Sequence, residues 1–270
     1  MNRLGPLIAT GGTAEIYAWL DGRIVKLYWS GAAASAAALE AAHASAAHAA
    51  GAPTPAVVEL VTVDGRPGVV FERAQGPSMQ ETLFAEPQRA EELGRQFAEL
   101  HAGLHQRTPW DLPSQHQHLT RRIKLASIGG RARSTVLSAL KTLPHGHALC
   151  HGDFHPGNVL LTSQGPTIID WFDASIGDPA GDVARTCLVM QYAKAPDALA
   201  GKVEGFGESL RSTFNAAYLD HYRRLRTLSP EQLKAWMLPV ASARLTDPIS
   251  PHKRAALLRL IDGLMPTVTS

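Results

Sequence analysis

Two cysteines, Cys150 and Cys187, are all that the 270 residues contain. That excludes a disulfide framework and suits a reducing compartment. Long apolar runs are missing too. The stretch with fewest charges, residues 27–58, is mostly alanine and closes with Pro53 and Pro55, too weakly apolar to span a bilayer. Met1-Asn2-Arg3-Leu4 runs straight into Gly5-Pro6, without the basic-then-apolar pattern of a secretory leader. Net charge is only +2, which by itself decides nothing about nucleic acid. The expectation is a cytoplasmic, soluble globular protein with no membrane partner. Its length suits two lobes with a cleft between them, or one large domain.

Charge is scarce in the first quarter of the chain, so the few charges there stand out. Lys26 is the only lysine before Lys124, and Glu40 the only acidic residue between Asp21 and Glu59. Lys26 lies in Arg23-Ile24-Val25-Lys26-Leu27-Tyr28, whose alternation reads as a strand with Ile24, Lys26 and Tyr28 on one face. A lysine within an apolar strand needs an anionic partner; the plain alternative is one that snorkels from an edge strand. Glu40 lies within residues 32–50, an alanine-rich helix former that Gly51 and Pro53 stop. The plain alternative for Glu40 is a solvated helix face; His43 and His48 read as solvated or packing residues. Upstream, residues 7–9 and 14–19 read as strands around Thr10-Gly11-Gly12-Thr13. Such a turn can offer backbone N–H groups to phosphate, although it is not G-x-G-x-x-G and is equally a simple hairpin turn. Residues 57–63 and 69–71 read as a further hairpin.

The chemistry concentrates in His151-Gly152-Asp153-Phe154-His155-Pro156-Gly157-Asn158. Apolar runs lead in and out, and the loop between cannot continue a regular element, because Pro156 lacks an N–H and Gly157 tolerates positive φ. Asp153 precedes Asn158 by five residues, the offset of a kinase catalytic loop. Twelve residues beyond Asn158, an apolar run ends in Asp170. A base, an amide ligand and a carboxylate ligand on neighbouring strand ends suit Mg·ATP phosphoryl transfer, and Lys26 with Glu40 reproduces the lysine–glutamate pair that positions such a lysine on phosphates.

These motifs resemble the aminoglycoside phosphotransferase/choline kinase family of small-molecule kinases, over the chain from Ile8 to about Asp182. The resemblance implies an α+β, protein-kinase-like, two-lobed fold. Residues 1–75 would form a nucleotide-binding lobe, with an antiparallel sheet and one helix. Residues 76–270 would form a larger, mainly helical catalytic and substrate lobe. It implies ATP and Mg²⁺ as cofactors, Asp153 as general base, and Asn158 and Asp170 as magnesium ligands. Gly11, Gly12, Thr13, Lys26, Glu40 and His155 would serve the nucleotide, with Glu72 and Ala74 contributing hinge backbone to the adenine edge. His151 would shape the loop and Asp182 brace it. A protein kinase fits less well. His151-Gly152-Asp153 lacks the arginine of H-R-D, Asp170-Trp171-Phe172 replaces D-F-G, and no A-P-E follows. A catalytically silent nucleotide-binding module is a further alternative, as is a transition-metal site built from His145, His147, His151 and His155.

The rest reads as helical: residues 87–106, with Leu93, Phe97, Leu100 and Leu104 as its core stripe, then 119–143, 183–193, 205–226, 230–245 and 250–263. Residues 107–118 read as a loop. Asp182 is an apt N-cap for the helix at 183, and Asp173 and Asp178 are candidates to face substrate. The expected partner is a small-molecule hydroxyl acceptor, not nucleic acid, and oligomeric state is not legible. From Val183 to the end, twelve Lys/Arg outnumber seven Asp/Glu, a poor match for a polycationic aminoglycoside unless Asp220, Glu231 and Asp247 are well placed. Choline would want an aromatic cage, for which Trp171, Phe172, Tyr192, Tyr218, Tyr222 and Trp236 are available.

Overall fold

A computed structural model describes residues 4–31, 34–191 and 204–266. Its elements open with strands β1 (Leu4–Thr10), β2 (Ala14–Trp19) and β3 (Arg23–Tyr28), helix α1 (Ala34–Ala49), and strands β4 (Val57–Val63) and β5 (Arg66–Phe71). Helices α2 (Met79–Ala85), α3 (Ala90–Leu104), α4 (Gln115–Leu125) and α5 (Gly130–Lys141) follow. Four short strands come next: β6 (Ala148–Cys150), β7 (Val159–Thr162), β8 (Gly165–Ile168) and β9 (Ser175–Gly177). The chain ends in α6 (Pro179–Gln191), α7 (Glu204–Leu225), α8 (Pro230–Arg244) and α9 (Pro251–Leu264). None of these helices is long and apolar enough to cross a membrane. Residues 32–33 and 192–193, which the sequence also suggests are helical, lie outside the described residues.

The chain divides into two compact units. The first comprises Met1–Thr82, Pro109–Leu112 and Pro156–Asp173. Its antiparallel sheet has the order β1-β2-β3-β5-β4, so the lysine strand is central, not an edge. Alternation sorts β3 as expected: Val25 and Leu27 pack with Val70 on one face, and Tyr28 packs with Ala14, Ala37, Ala41 and Val69 on the other. The helix covering that face is nearly all alanine, and small side chains let its backbone come close. Ala37, Ala41, Ala44 and Ala47 are buried, and Glu40 and His43 share that face. The solvated alternative for Glu40 fails for that reason, and of the two readings of His43 the packing one holds. The β7–β8 hairpin belongs to the same unit and anchors residues 76–78, since the Leu161 N–H donates to Pro77 O at 2.8 Å. Gly76 is needed there; a Cβ would collide with the Leu161 carbonyl.

The second unit comprises Leu83–Thr108, Pro113–His155 and Ala174–Ser270. Helix α3 lies against α7, with Phe97 packed on Phe214 and Tyr218. The antiparallel pair β6–β9 is extended by a Leu149 N–H bond to Arg107 O and an Ile176 N–H bond to Pro113 O. Two local readings are corrected. Residues 107–118 are not loop throughout, because α4 starts at Gln115, where His116, Leu119 and Ile123 turn one face inward. The N-cap of α6 is Asp178, whose Oδ1 accepts the Ala180 N–H at 2.8 Å; Asp182 lies inside the helix. Helix α2, unread in the sequence, carries a capping box in which Ser78 and Glu81 accept one another's backbone N–H.

A Cβ on Gly94 would sit 2.6 Å from Phe214 O and 2.9 Å from the Ala217 methyl. Helix propensity alone favours alanine over glycine by about 1 kcal/mol, yet Gly94→Ala is expected to destabilise the protein by about 1–3 kcal/mol. Urea unfolding measures the sign; stabilisation would contradict this packing.

Candidate functional site

In the first unit, Lys26 Nζ lies 2.7 Å from Glu40 Oε1 and 3.1 Å from Asp170 Oδ1. Glu40 is 2 % exposed, and its other oxygen accepts the Tyr28 hydroxyl. Burial opposes the charge of Lys26, but the Asp170 and Glu40 carboxylates outweigh it and hold the ammonium above its ordinary pKa. Burial in turn raises Glu40. A buried pair of this kind is held by geometry and hydrogen bonds more than by net energy. The Asp170 side chain remains 44 % exposed, so one end of the cluster is open.

Asn158 and Asp170 come together through hairpin register. Val159 pairs with Ile168, and beyond that pair the Ile169 N–H donates to Asn158 O at 3.0 Å. Asp170 then turns at φ 68°, a left-handed conformation that aspartate tolerates better than most residues. Its neighbours fix the turn: the Trp171 indole donates to Thr54 Oγ1 at 2.8 Å, and His43 Nδ1 lies 3.0 Å from Phe172 O. The glycine turn is pinned as well, because Trp29 donates its indole N–H to Gly12 O and its backbone N–H to Thr13 O. The N–H groups of Gly12 and Thr13 meet no acceptor among the described residues. In the hinge, the Glu72 N–H is taken by Ala56 O at 3.0 Å, while the Ala74 N–H has no acceptor among the described residues. A cavity of about 590 Å³ is lined by the glycine turn, Lys26, Glu40, the hinge and Asp170. The Asp170 carboxylate beside the Lys26 ammonium, with open N–H groups in the glycine turn and at Ala74 of the hinge, fits a magnesium-bound nucleotide.

Asp153 and His155 belong to the second unit. Asp153 Oδ2 lies 3.6 Å from His155 Nε2, and Oδ1 lies 3.3 Å from Arg185 Nη2. Burial pushes this carboxyl up, but the His155 hydrogen bond and the Arg185 charge outweigh it and hold it well below the usual carboxylate range. The loop before it hangs on Asp182, whose two oxygens accept the His151 N–H at 2.7 Å and the Gly152 N–H at 2.9 Å.

Two histidines at the C-terminal end of α3, His101 and His105, complete this brace. His101 Nε2 and His105 Nε2 lie 3.1 and 3.3 Å from Asp182 Oδ2. Their Nδ1 atoms meet Tyr218 OH at 2.8 Å and Tyr222 OH at 2.6 Å. Phe154 stacks on both Phe97 and His101. The detectable signal was a histidine pair four residues apart on a buried face, where each polar ring must find a partner. His101, His105 and Asp182 are also the one three-ligand grouping among the described residues. The four-histidine metal site is therefore not assembled: His145 stacks on His116 instead.

Other candidates are also committed elsewhere. Trp171, Tyr218, Tyr222 and Trp236 are each 1 % exposed in packed interiors, and Tyr192 lies outside the described residues. Asp247 is enclosed by Arg122, Arg185 and Arg244. Asp220 pairs with Arg224 on the surface, and Glu231 opens α8.

A strand-mounted lysine paired to a helical glutamate, with an aspartate after a short hairpin, is the arrangement of a kinase-type nucleotide site. A model of the phosphotransferase enzyme family (APH) matches residues 8–228, and the chain belongs to that family. It is 33% identical to viomycin phosphotransferase of Streptomyces vinaceus over 142 residues, covering 45% of this chain and 50% of that protein. The chain thus spans about half the length of this curated relative. A choline/ethanolamine kinase family protein from Mesorhizobium loti shares the fold at TM-score 0.61 and 16% identity, over 99% of this chain and 90% of that one. So does aminoglycoside phosphotransferase APH(3'')-Id from Streptomyces rimosus, solved with ADP and streptomycin, at TM-score 0.53 and 16% identity over 88% and 92%.

Burial, with the neighbouring His105, pushes His101 down to about 3 despite Asp182. The unfolded chain protonates this ring near pH 6.5, so between about 6.5 and 3 it binds a proton that the folded state refuses. Stability is expected to fall as pH drops through that window, by up to about 1.4 kcal/mol per pH unit from this ring. Urea midpoints at pH 7.5 and 5.0 measure the slope; His101→Gln should flatten it, and an unchanged slope would contradict the assignment.

Proposed function

We propose that the protein is an ATP- and Mg²⁺-dependent phosphotransferase that moves the γ-phosphoryl group to a hydroxyl of a small molecule. The observation that carries this reading is Lys26 held between Glu40 and Asp170 at the wall of a cavity edged by the glycine turn and the hinge. Gly12 and Thr13 would present backbone N–H groups to phosphate, while the Gly11 N–H is spent on Ala14 O at 2.8 Å and closes the turn; Lys26 would be the fixed cation and Glu40 its anchor. Glu72 and Ala74 would meet the adenine edge through their backbone. Asn158 and Asp170 would hold Mg²⁺, which supplies neutralisation of phosphate charge. Asp153, ionised at all working pH values, would accept the proton of the acceptor hydroxyl as the new P–O bond forms, with His155 beside its second oxygen. Residues 1–75 would then serve the nucleotide and residues 76–270 catalysis and the acceptor.

Viomycin is the first acceptor to test, because the curated relative is a viomycin phosphotransferase. A choline kinase reading gains nothing from the buried aromatics. The test is Mg²⁺-dependent ADP release with viomycin, streptomycin, choline and simple sugars. Asp153→Asn is expected to lower kcat by about 10²–10⁴ and leave nucleotide affinity intact. Asp170→Ala should weaken Mg·ATP binding itself, read by calorimetry. Near-wild-type turnover in Asp153→Asn would remove the base assignment. Tight Mg·ATP binding without release on any acceptor would favour the silent binding module.

A further inference from the structure

Arg185, on the face of α6, joins the Gly152-Asp153 segment of the loop to the distant Asp247. Its Nε–H donates to Gly152 O at 3.0 Å, Nη2 lies 3.3 Å from Asp153 Oδ1, and Nη1 lies 2.6 Å from Asp247 Oδ2. Its side chain is 12 % exposed. Asp247 follows α8 and is itself gripped by Arg122 of α4 and by Arg244 Nη1 at 3.4 Å. We propose that Arg185 is a positioning residue for Asp153, and that the Arg122–Asp247–Arg185 chain is the frame that fixes it. The proposal rests on the reading of Asp153 as the base.

A guanidinium presents its donors in a rigid plane. Bound to the Gly152 carbonyl and to Oδ1 at once, it fixes the Asp153 carboxylate relative to its own loop backbone. Oδ1 is thereby held on the Arg185 side, and Oδ2 lies 3.6 Å from His155 Nε2. Asp247 prevents Arg185 from swinging away. It also offsets charge in a cation-rich cluster, where burial and the adjacent Arg185 push Arg244 down to about 10. The groups facing Asp153 are Arg185 from α6, His151 and His155 from its own loop, and Arg244 from the end of α8.

Two readouts separate this role from a structural one. In carboxyl-labelled protein, with the Asp153 signal assigned by its loss in Asp153→Asn, Arg185→Gln should raise the Asp153 titration midpoint by at least about one pH unit. Arg185→Lys restores charge without the planar fork. It should therefore keep that midpoint low yet recover only part of kcat, which falls about 10- to 100-fold in Arg185→Gln at unchanged KM for ATP. Asp247→Asn, which leaves Arg185 on Asp153 but loosens it, should give an intermediate kcat. An unmoved Asp153 midpoint in Arg185→Gln overturns the proposal whatever Asp153 does in catalysis. A shifted midpoint with wild-type kcat overturns the positioning role. A shifted midpoint alongside near-wild-type turnover in Asp153→Asn traces the failure to the base assignment instead.

Discussion

The first unit depends on one ion pair, Lys26 with Glu40. Burying a carboxylate at the centre of an alanine-rich helix is unfavourable unless a cation meets it, and an isolated lysine on a central strand has the same need. Each therefore requires the other, and the requirement sets the rotation of α1 on the sheet. The alanines serve this arrangement by letting the helix approach, and Tyr28 occupies the second oxygen of Glu40. Lys26 then reaches Asp170, whose left-handed backbone is held by bonds from Trp171 and His43. What results is a cation fixed between two carboxylates, one buried and one open.

The second unit solves a different problem, that of holding a loop of irregular backbone rigid. Asp182 accepts two backbone N–H groups from the loop and faces two imidazoles, which are held in turn by two tyrosines of α7. Such a network is favourable only when every member is satisfied. Phe154, buried against Phe97 and His101, adds an apolar anchor between the loop's polar residues.

Much of this was legible because the relevant residues are rare or locally patterned. Lys26 and Glu40 stood out by scarcity, and strand alternation sorted the residues of β3 between its two faces. The apolar runs beside Asn158 and Asp170 put them on neighbouring strand ends, and the β7–β8 register is what brings them together. Long-range polar pairing was not legible. Nothing in the sequence near Arg185 announces Asp247, and His101 and His105 sat beside a stripe that periodicity alone explains as core. That Asp178 rather than Asp182 caps α6 required the backbone, because the helix starts at Pro179, earlier than the apolar pattern indicates. Scarce cations in apolar strands and polar residues on buried helical faces are thus the two signals to weigh more heavily.

Whether the Lys26–Glu40 pair holds a nucleotide decides what the protein does. The direct measurement is calorimetric binding of Mg·ATP to wild-type, Lys26→Met and Glu40→Gln proteins, each checked for native circular dichroism. Loss of at least about tenfold in affinity, roughly 1.4 kcal/mol, in both variants is the predicted result. Wild-type affinity in both, in folded protein, would contradict it.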